Sequence, residues 1–478
     1  MQNITDNDIL EGVLDEFKKI AKIPRPSGHE EKISAFLKDY FAEMGFESVQ
    51  DEVNNVIVNI PPTKNFENAP LTVLQAHMDM VAVASVGVPF NPTEDPIRLI
   101  RDDEYLRAAA TSLGADDGMG IAIMMYIAKN LKEHGALRFI FTVDEENGMT
   151  GAEKLNAKYL TDAKYLINCD SEEFDQIITG CAGNITMEFE KTLERAPITK
   201  NNILTIELTG LKGGHSGERI GDNGGNAIIA LISAIRNLES FGEVELIAVD
   251  GGSARNVIPS VARAIIATDI DKDTLNIALM EEGRSLYRVY DENDAEFIVK
   301  EAQSDFGAIK KETAKQIYQF ANLIHCGVYA MHGNIPETSA NIGVASTDEH
   351  TLKFSFLPRS SKDKKLDMFI SKAKDLAELT EFKAIIGKRA LGWSQKNGKL
   401  AGVMADIFKD ITGRTMKIEE MHAGIECGFH HKSNPNLDIV SIGTTNEEIH
   451  SPRERLKLST VAPITRLIAR TLVKIGNI

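Results

Sequence analysis

The chain reads as an α/β protein: a catalytic domain with a mostly parallel or mixed sheet flanked by helices, plus an inserted α+β lid domain. Three observations lead there. At 478 residues the chain exceeds what one ordinary core holds, so two domains are the starting expectation. Hydrophobic runs that read as buried strands alternate with helical segments up to about residue 183, a βαβ rhythm. After Gly183 the pattern turns to half-exposed alternation, and α/β character returns only after Trp393.

The elements follow in order. Ile9, Leu10, Val13, Leu14, Phe17 and Ile20 recur at helical spacing, and residues 30–44 do so again. Pro24 and Pro26 separate the two helices. Residues 71–74, 138–143 and 165–168 are apolar runs short enough to be buried strands. Asp116-Asp117-Gly118-Met119 opens a long helix through residues 121–132, rich in Ala, Ile and Met. Residues 185–190 and 203–208 alternate like antiparallel strands with one wet face. Residues 226–299 and 310–387 each read helix, strand, strand, helix, strand, with Asn256-Val257-Ile258 falling near Asn341-Ile342-Gly343. Pattern alone leaves internal duplication and coincidence equally open. The expected boundaries are 1–183 and 394–478 for the catalytic domain and 184–393 for the insert.

Composition narrows the function. The protein is 43% hydrophobic and 26% charged, with a formal charge of −17, which argues against a nucleic-acid or anionic-membrane binder. There is no N-terminal apolar leader and no run of about 18 apolar residues, so neither secretion nor a membrane span is expected. The four cysteines, Cys169, Cys181, Cys326 and Cys427, are scattered without CxxC spacing. A reduced, cytoplasmic protein is the expectation.

Chemistry concentrates where strands end. Residues 71–74 lead into His77 and Asp79, 138–143 into Glu145 and Glu146, and 165–168 into Asp170. Catalytic groups of α/β proteins gather at such ends. His77 and Asp79 share a face of an extended segment, so His77 can ligate a metal while Asp79 holds the imidazole; a strand-end His with a turn Asp is the plain alternative. Asp116 can be a helix N-cap or, with His77 upstream and Glu145-Glu146 downstream, a bridging ligand. Glu145 and Glu146, adjacent on an extended segment, point in different directions, so one can bind metal while the other serves as general base. A solvated acidic turn is the alternative. His450, in a loop before Pro452, is not promoted by spacing. Gly213-Gly214-His215-Ser216-Gly217 is either a mobile ligand-binding loop or a hairpin turn. Arg359 is either a carboxylate partner or a surface cation. Two imidazoles and several carboxylates without sulfur suit a pair of zinc-like ions.

In their order these segments resemble the two-zinc metallopeptidases that include aminoacylases, glutamate carboxypeptidases and dipeptidases. Within that family the run from Leu113 to Gly120, the long insert with Gly213-Gly214-His215-Ser216-Gly217, and His422-Ala423-Gly424-Ile425-Glu426-Cys427-Gly428 are most similar to aminoacyl-histidine (Xaa-His, carnosinase-like) dipeptidases. The resemblance spans essentially the whole chain. It implies two zinc ions per chain, with cobalt or manganese able to substitute. It also implies a bridging Asp116 with a cis Asp116–Asp117 peptide. His77 and Asp170 then complete one site, and Glu146 and His450 the other. Asp79 orients His77 and Glu145 is the general base. His215 and Asn256 help polarise the scissile carbonyl, and Arg359 and Glu426 bind substrate. Ligands outside the insert and helpers within it mean that substrate brings two domains together.

The expected reaction is hydrolysis of dipeptides, Xaa-His members including β-alanyl-histidine, by a monomer or homodimer. An aminoacylase or tripeptide aminopeptidase would share the metal set. A non-catalytic binding protein would not need Glu145, and a phosphoryl-transfer enzyme would call for a phosphate cradle that the sequence lacks.

Overall fold

The N-terminal helix Asp6–Ile20 begins where Thr5 and Asp8 form a reciprocal capping box, and its apolar stripe, Ile9, Val13, Leu14, Phe17 and Ile20, is buried. In the computed structural model, which describes residues 4–290, 292–395 and 398–477, this helix belongs to the first of two compact units. Unit 1 comprises the chain up to Cys181, Trp393–Glu420 and the chain from Ile425; unit 2 comprises Ala182–Gly392 with Met421–Gly424.

The sheet of unit 1 runs Glu47–Gln50, Val56–Ile60, Leu137–Thr142, Thr72–His77, Tyr165–Asn168, Asp438–Ser441, Gln176–Cys181, Trp393–Ser394. The four middle strands, from Leu137–Thr142 to Asp438–Ser441, are parallel, and the flanking pairs are antiparallel. The sheet is therefore mixed, with its parallel part at the centre. Thr72–His77 and Tyr165–Asn168 are buried along their whole length, as a parallel strand covered on both faces must be. Phe41 of helix Glu31–Glu43 stacks on Phe141, with ring centroids 5.6 Å apart, and meets Phe139 edge-on at 5.8 Å. Those contacts lock helix to sheet.

Helix Ala115–Asn130 is apolar nearly all round and packs against helices Asp6–Ile20 and Val461–Gly476. It stops before the expected residue 132, because Leu131 turns extended at φ −78°, ψ 124° and buries its side chain. Its first turn is irregular: Asp116 and Asp117 have non-helical angles and the peptide between them is cis.

The large antiparallel sheet of unit 2 runs in the order Glu296–Glu301, Asn202–Thr209, Ala262–Thr268, Val244–Gly251, Ile335–Thr347, Thr351–Ser360, Gly183–Thr192, Lys383–Ala390. From its centre outward each half repeats the same plan: two strands of a hairpin, an earlier strand, then the strand that follows a long helix, Lys272–Tyr290 or Asp363–Thr380. Phe320 stacks on Phe382 at 4.4 Å and on Phe354 at 5.2 Å within its core.

Candidate metal centre

Three neighbouring parallel strands end in chemistry. His77 closes its own strand, Glu145 and Glu146 follow Leu137–Thr142 after two residues, and Asp170 follows Tyr165–Asn168 after one. His77 Nε2 lies 2.9 Å from Asp116 Oδ1 and 3.2 Å from Asp170 Oδ1. His450 Nε2 lies 3.1 Å from the other Asp116 oxygen, Oδ2, and 2.9 Å from Glu146 Oε2. His77–Asp116–Asp170 and Asp116–Glu146–His450 are thus two donor groups that share Asp116.

Asp79 explains the geometry around it. Its carboxylate accepts hydrogen bonds from the Glu145 N–H (3.0 Å), the Glu146 N–H (3.2 Å) and the Ser27 hydroxyl (2.8 Å). Its Oδ1 lies 3.4 Å from His77 Nδ1. Glu145 and Glu146 are not on an extended segment, as their spacing suggests. They open the short helix Glu145–Gly148 after a left-handed Asp144, φ 57°, and two free amides of that helix start are captured by Asp79.

Below the cluster lies a buried network. Glu426, expected among the substrate-binding residues, is fully buried; its Oε2 accepts from Gln75 Nε2 and Thr142 Oγ1, both at 2.6 Å. Asn168 Nδ2 in turn donates to Gln75 Oε1 at 2.7 Å. Gln75, Thr142 and Asn168 sit on the three strands that deliver His77, Glu145 and Asp170, so the network ties those strand ends together. Neither Gln75 nor Thr142 stands out in the sequence, because each lies inside an apolar run.

The electrostatics mark a site built for cations. Burial, then the Asp170 carboxylate, raise Glu145 well above the usual carboxylate range. Burial also pushes Asp170 up to about 6 and Glu426 up to about 8. Burial works against a charged His450, yet Asp116 and Glu146 raise it to about 11. His77 is likewise raised against its burial by Asp170 and Asp116. Despite burial, Asp116 and Asp79, held by the imidazoles, are lowered instead; a cluster that raises Glu145, Glu146, Asp170 and both imidazoles together still carries more buried negative charge than its own cations balance. Among the described residues Glu146 Oε1 also has no hydrogen-bond partner. Oxygen and imidazole donors without thiolate fit divalent zinc-like ions.

In unit 2 the structure brings His215, Asn256 and Arg359 into one neighbourhood. Gly214–His215 pairs with Val257–Ile258, and the Asn256 carbonyl accepts the Ser216 N–H at 2.7 Å. Arg359 Nε donates to Ser216 Oγ at 3.3 Å. Arg359 is not a surface cation: it is 4% exposed, burial lowers its pKa to about 10, and among the described residues no carboxylate lies within ion-pair distance. His422 Nε2 lies 2.7 Å from Ser339 Oγ, and burial with the nearby Arg359 cation lowers it to about 4, so the ring is neutral at pH 7.

An α/β unit that gathers imidazoles and carboxylates at parallel strand ends suits a metal-dependent enzyme. Residues 73–474 match the model of Peptidase family M20/M25/M40. The chain belongs to that family and is a metallopeptidase. It is 32% identical to the cytosol non-specific dipeptidase of Escherichia coli (strain K12), covering 96% of this chain and 97% of that one. Its fold matches aminoacylhistidine dipeptidase from Vibrio alginolyticus with a TM-score of 0.81, at 31% identity and 96% coverage of both chains. It also matches human carnosine dipeptidase 1 with a TM-score of 0.55, at 11% identity, over 99% of this chain and 100% of that one; this last likeness concerns the fold alone. Among the described residues no helix is long and apolar enough to cross a membrane.

Proposed function

We propose that the chain is a two-metal dipeptidase that hydrolyses dipeptides, Xaa-His members such as β-alanyl-histidine among them. The observation that carries the reading is Asp116, with one carboxylate oxygen 2.9 Å from His77 and the other 3.1 Å from His450. His77, Asp116 and Asp170 would hold one zinc ion, and Asp116, Glu146 and His450 the other, with cobalt or manganese able to substitute. When bound, such ions polarise the scissile carbonyl and acidify the attacking water.

The residues of the chain do the rest. Asp79 keeps His77 Nδ1 engaged so that Nε2 faces the cluster. Glu145 takes a proton from the water as it attacks the carbonyl carbon. It returns that proton to the leaving amine as the C–N bond breaks, giving a free carboxylate and a free amine. Burial shifts its pKa upward, which makes it a stronger base than a solvated Glu carboxylate. His215 and Asn256 are assigned to the carbonyl oxygen. Arg359 is assigned to the substrate carboxylate, which would supply the anion that this buried guanidinium lacks.

Preference for Xaa-His is supported by the likeness to the Vibrio aminoacylhistidine dipeptidase. A broad dipeptidase is the second reading, favoured by the "non-specific" description of the Escherichia coli relative. That relative's "cytosol" description also supports a cytoplasmic location, for a protein acting as monomer or homodimer. The test is a panel of β-Ala-His, Gly-His, Leu-Gly, N-acetyl-Met and a tripeptide, with metal-reconstituted and chelator-treated protein. Chelator-sensitive cleavage led by Xaa-His members supports the first reading, and equal cleavage of Leu-Gly the second. Cleavage of N-acetyl-Met or the tripeptide alone overturns both.

A further inference from the structure

Two buried ions of opposite sign flank the loop that enters Asp116. Arg25, 2% exposed, stands between Pro24 and Pro26, and its carbonyl accepts the Met80 N–H at 3.1 Å. Its Nη1 donates to the carbonyl oxygens of Met78 and Asp79, each at 2.8 Å, and its Nη2 donates to that of Gly114. Glu454, also 2% exposed, lies on the turn that follows His450. Its Oε2 accepts the N–H groups of Leu113 (2.8 Å) and Gly114 (3.0 Å), and its Oε1 that of Ala115 (2.8 Å). Three successive amides ahead of Asp116 therefore converge on one carboxylate.

The glycines of this motif answer to the same arrangement. Gly114 has φ +68°, and a Cβ there would stand 2.7 Å from Arg25 Nη2; at Gly118 it would stand 2.5 Å away. The guanidinium fills the space that side chains at these positions would need.

We propose that Arg25 and Glu454 are positioning residues for the shared ligand Asp116. Arg25 couples the His77–Asp79 segment to Gly114, and Glu454 couples residues 113–115 to the turn bearing His450. Asp116 is thereby set in register with both sides, so that each of its oxygens meets a different imidazole. Buried single charges are costly, and here each is met by oriented backbone dipoles; Arg25 also has the Asp79 and Glu454 carboxylates near it. A carboxylate serving two donor groups is sensitive to displacements well under an ångström. That sensitivity is why it would need holding from two directions. The inference rests on the two-metal reading above.

The test is calorimetric titration of metal-stripped protein with zinc, with urea unfolding of each metal-free form, for wild type, Glu454→Gln, Glu454→Ala and Arg25→Lys. Glutamine keeps one acceptor oxygen of the three-amide clamp, so Glu454→Gln is expected to unfold cooperatively. It should bind zinc about 10–100-fold more weakly at one site, the usual loss when a partner behind the ligands is removed. Arg25→Lys, whose single ammonium cannot span three carbonyls, is expected to weaken both sites. Wild-type affinity at both sites in Glu454→Ala and Arg25→Lys would overturn the proposal. So would loss of cooperative unfolding in metal-free Glu454→Gln, which would make Glu454 a requirement of the whole fold. Failure of the wild type itself to bind two ions would remove the two-metal reading first and this inference with it.

Discussion

Burial raises the pKa of both Glu145 and Glu426, yet the roles proposed for them differ. Glu145→Ala is expected to lower turnover by about 10²–10⁴-fold while zinc titration still finds both sites filled, since the proton carrier is lost and the donors are kept. Retained hydrolysis in that variant would remove Glu145 from the mechanism. Glu426 makes a pH-dependent contribution to the metal-free protein. Its folded pKa, about 8, lies above the 4.5 of a freely solvated glutamate side chain. The folded state then binds the proton more tightly than the unfolded one. Stability from this group is full below about pH 4.5 and erodes as pH rises toward 8. Chelator-treated Glu426→Gln should resist urea better than wild type at pH 8.5 and lose that advantage near pH 4.5; an equal gap at both values would contradict the assignment. Single residues were unequally legible in the sequence. His77, Asp116 and Glu146 stood out because each follows an apolar run or opens a helix. Arg25 and Glu454 did not, because their partners are backbone groups, and backbone partners leave no residue-type signature.

At the scale of elements, the parallel centre of the unit 1 sheet could be read from three short apolar runs, since strands buried on both faces need such runs. The Glu145 segment shows where that reading stops. Spacing treats residues 144–147 as a continuation of the strand, whereas a left-handed Asp144 ends the extended path and starts a helical turn. A hydrogen bond to Asp79, 66 residues away, fixes that turn, and local sequence cannot report it. The link between helix Glu31–Glu43 and strand Leu137–Thr142 is open to direct measurement. Phe41 is fully buried against Phe139 and Phe141, so Phe41→Ala is expected to cost about 3–5 kcal/mol in urea unfolding. A loss below about 1 kcal/mol would mean that the helix is held elsewhere.

Across the whole molecule, metal, protons and stability are linked. In the metal-free protein, carboxylates raise His450 to about 11 and push His77 in the same direction, and an imidazole must lose its proton to become a ligand. Zinc loading at pH 7 is therefore expected to release protons, seen as a binding heat that varies with the ionisation enthalpy of the buffer, and affinity should fall as pH is lowered. Zinc at 100 times its Kd should also add about 2.7 kcal/mol per site to the unfolding free energy, and chelation should remove it. A heat independent of buffer would show that the imidazoles are neutral before loading. The order of strands carries a consequence for biosynthesis. Asp438–Ser441 is a central strand of unit 1, yet the ribosome makes it after every strand of the unit 2 sheet. A nascent chain halted after Ala390 has all the strands of the second sheet, while the first still has a gap beside Tyr165–Asn168 and His450 is unmade. Such an arrested chain is expected to protect unit 2 from protease and to bind zinc no better than a His450→Ala variant. Synthesis itself thus withholds the full set of donors until His450 has left the ribosome, well after the second sheet is complete.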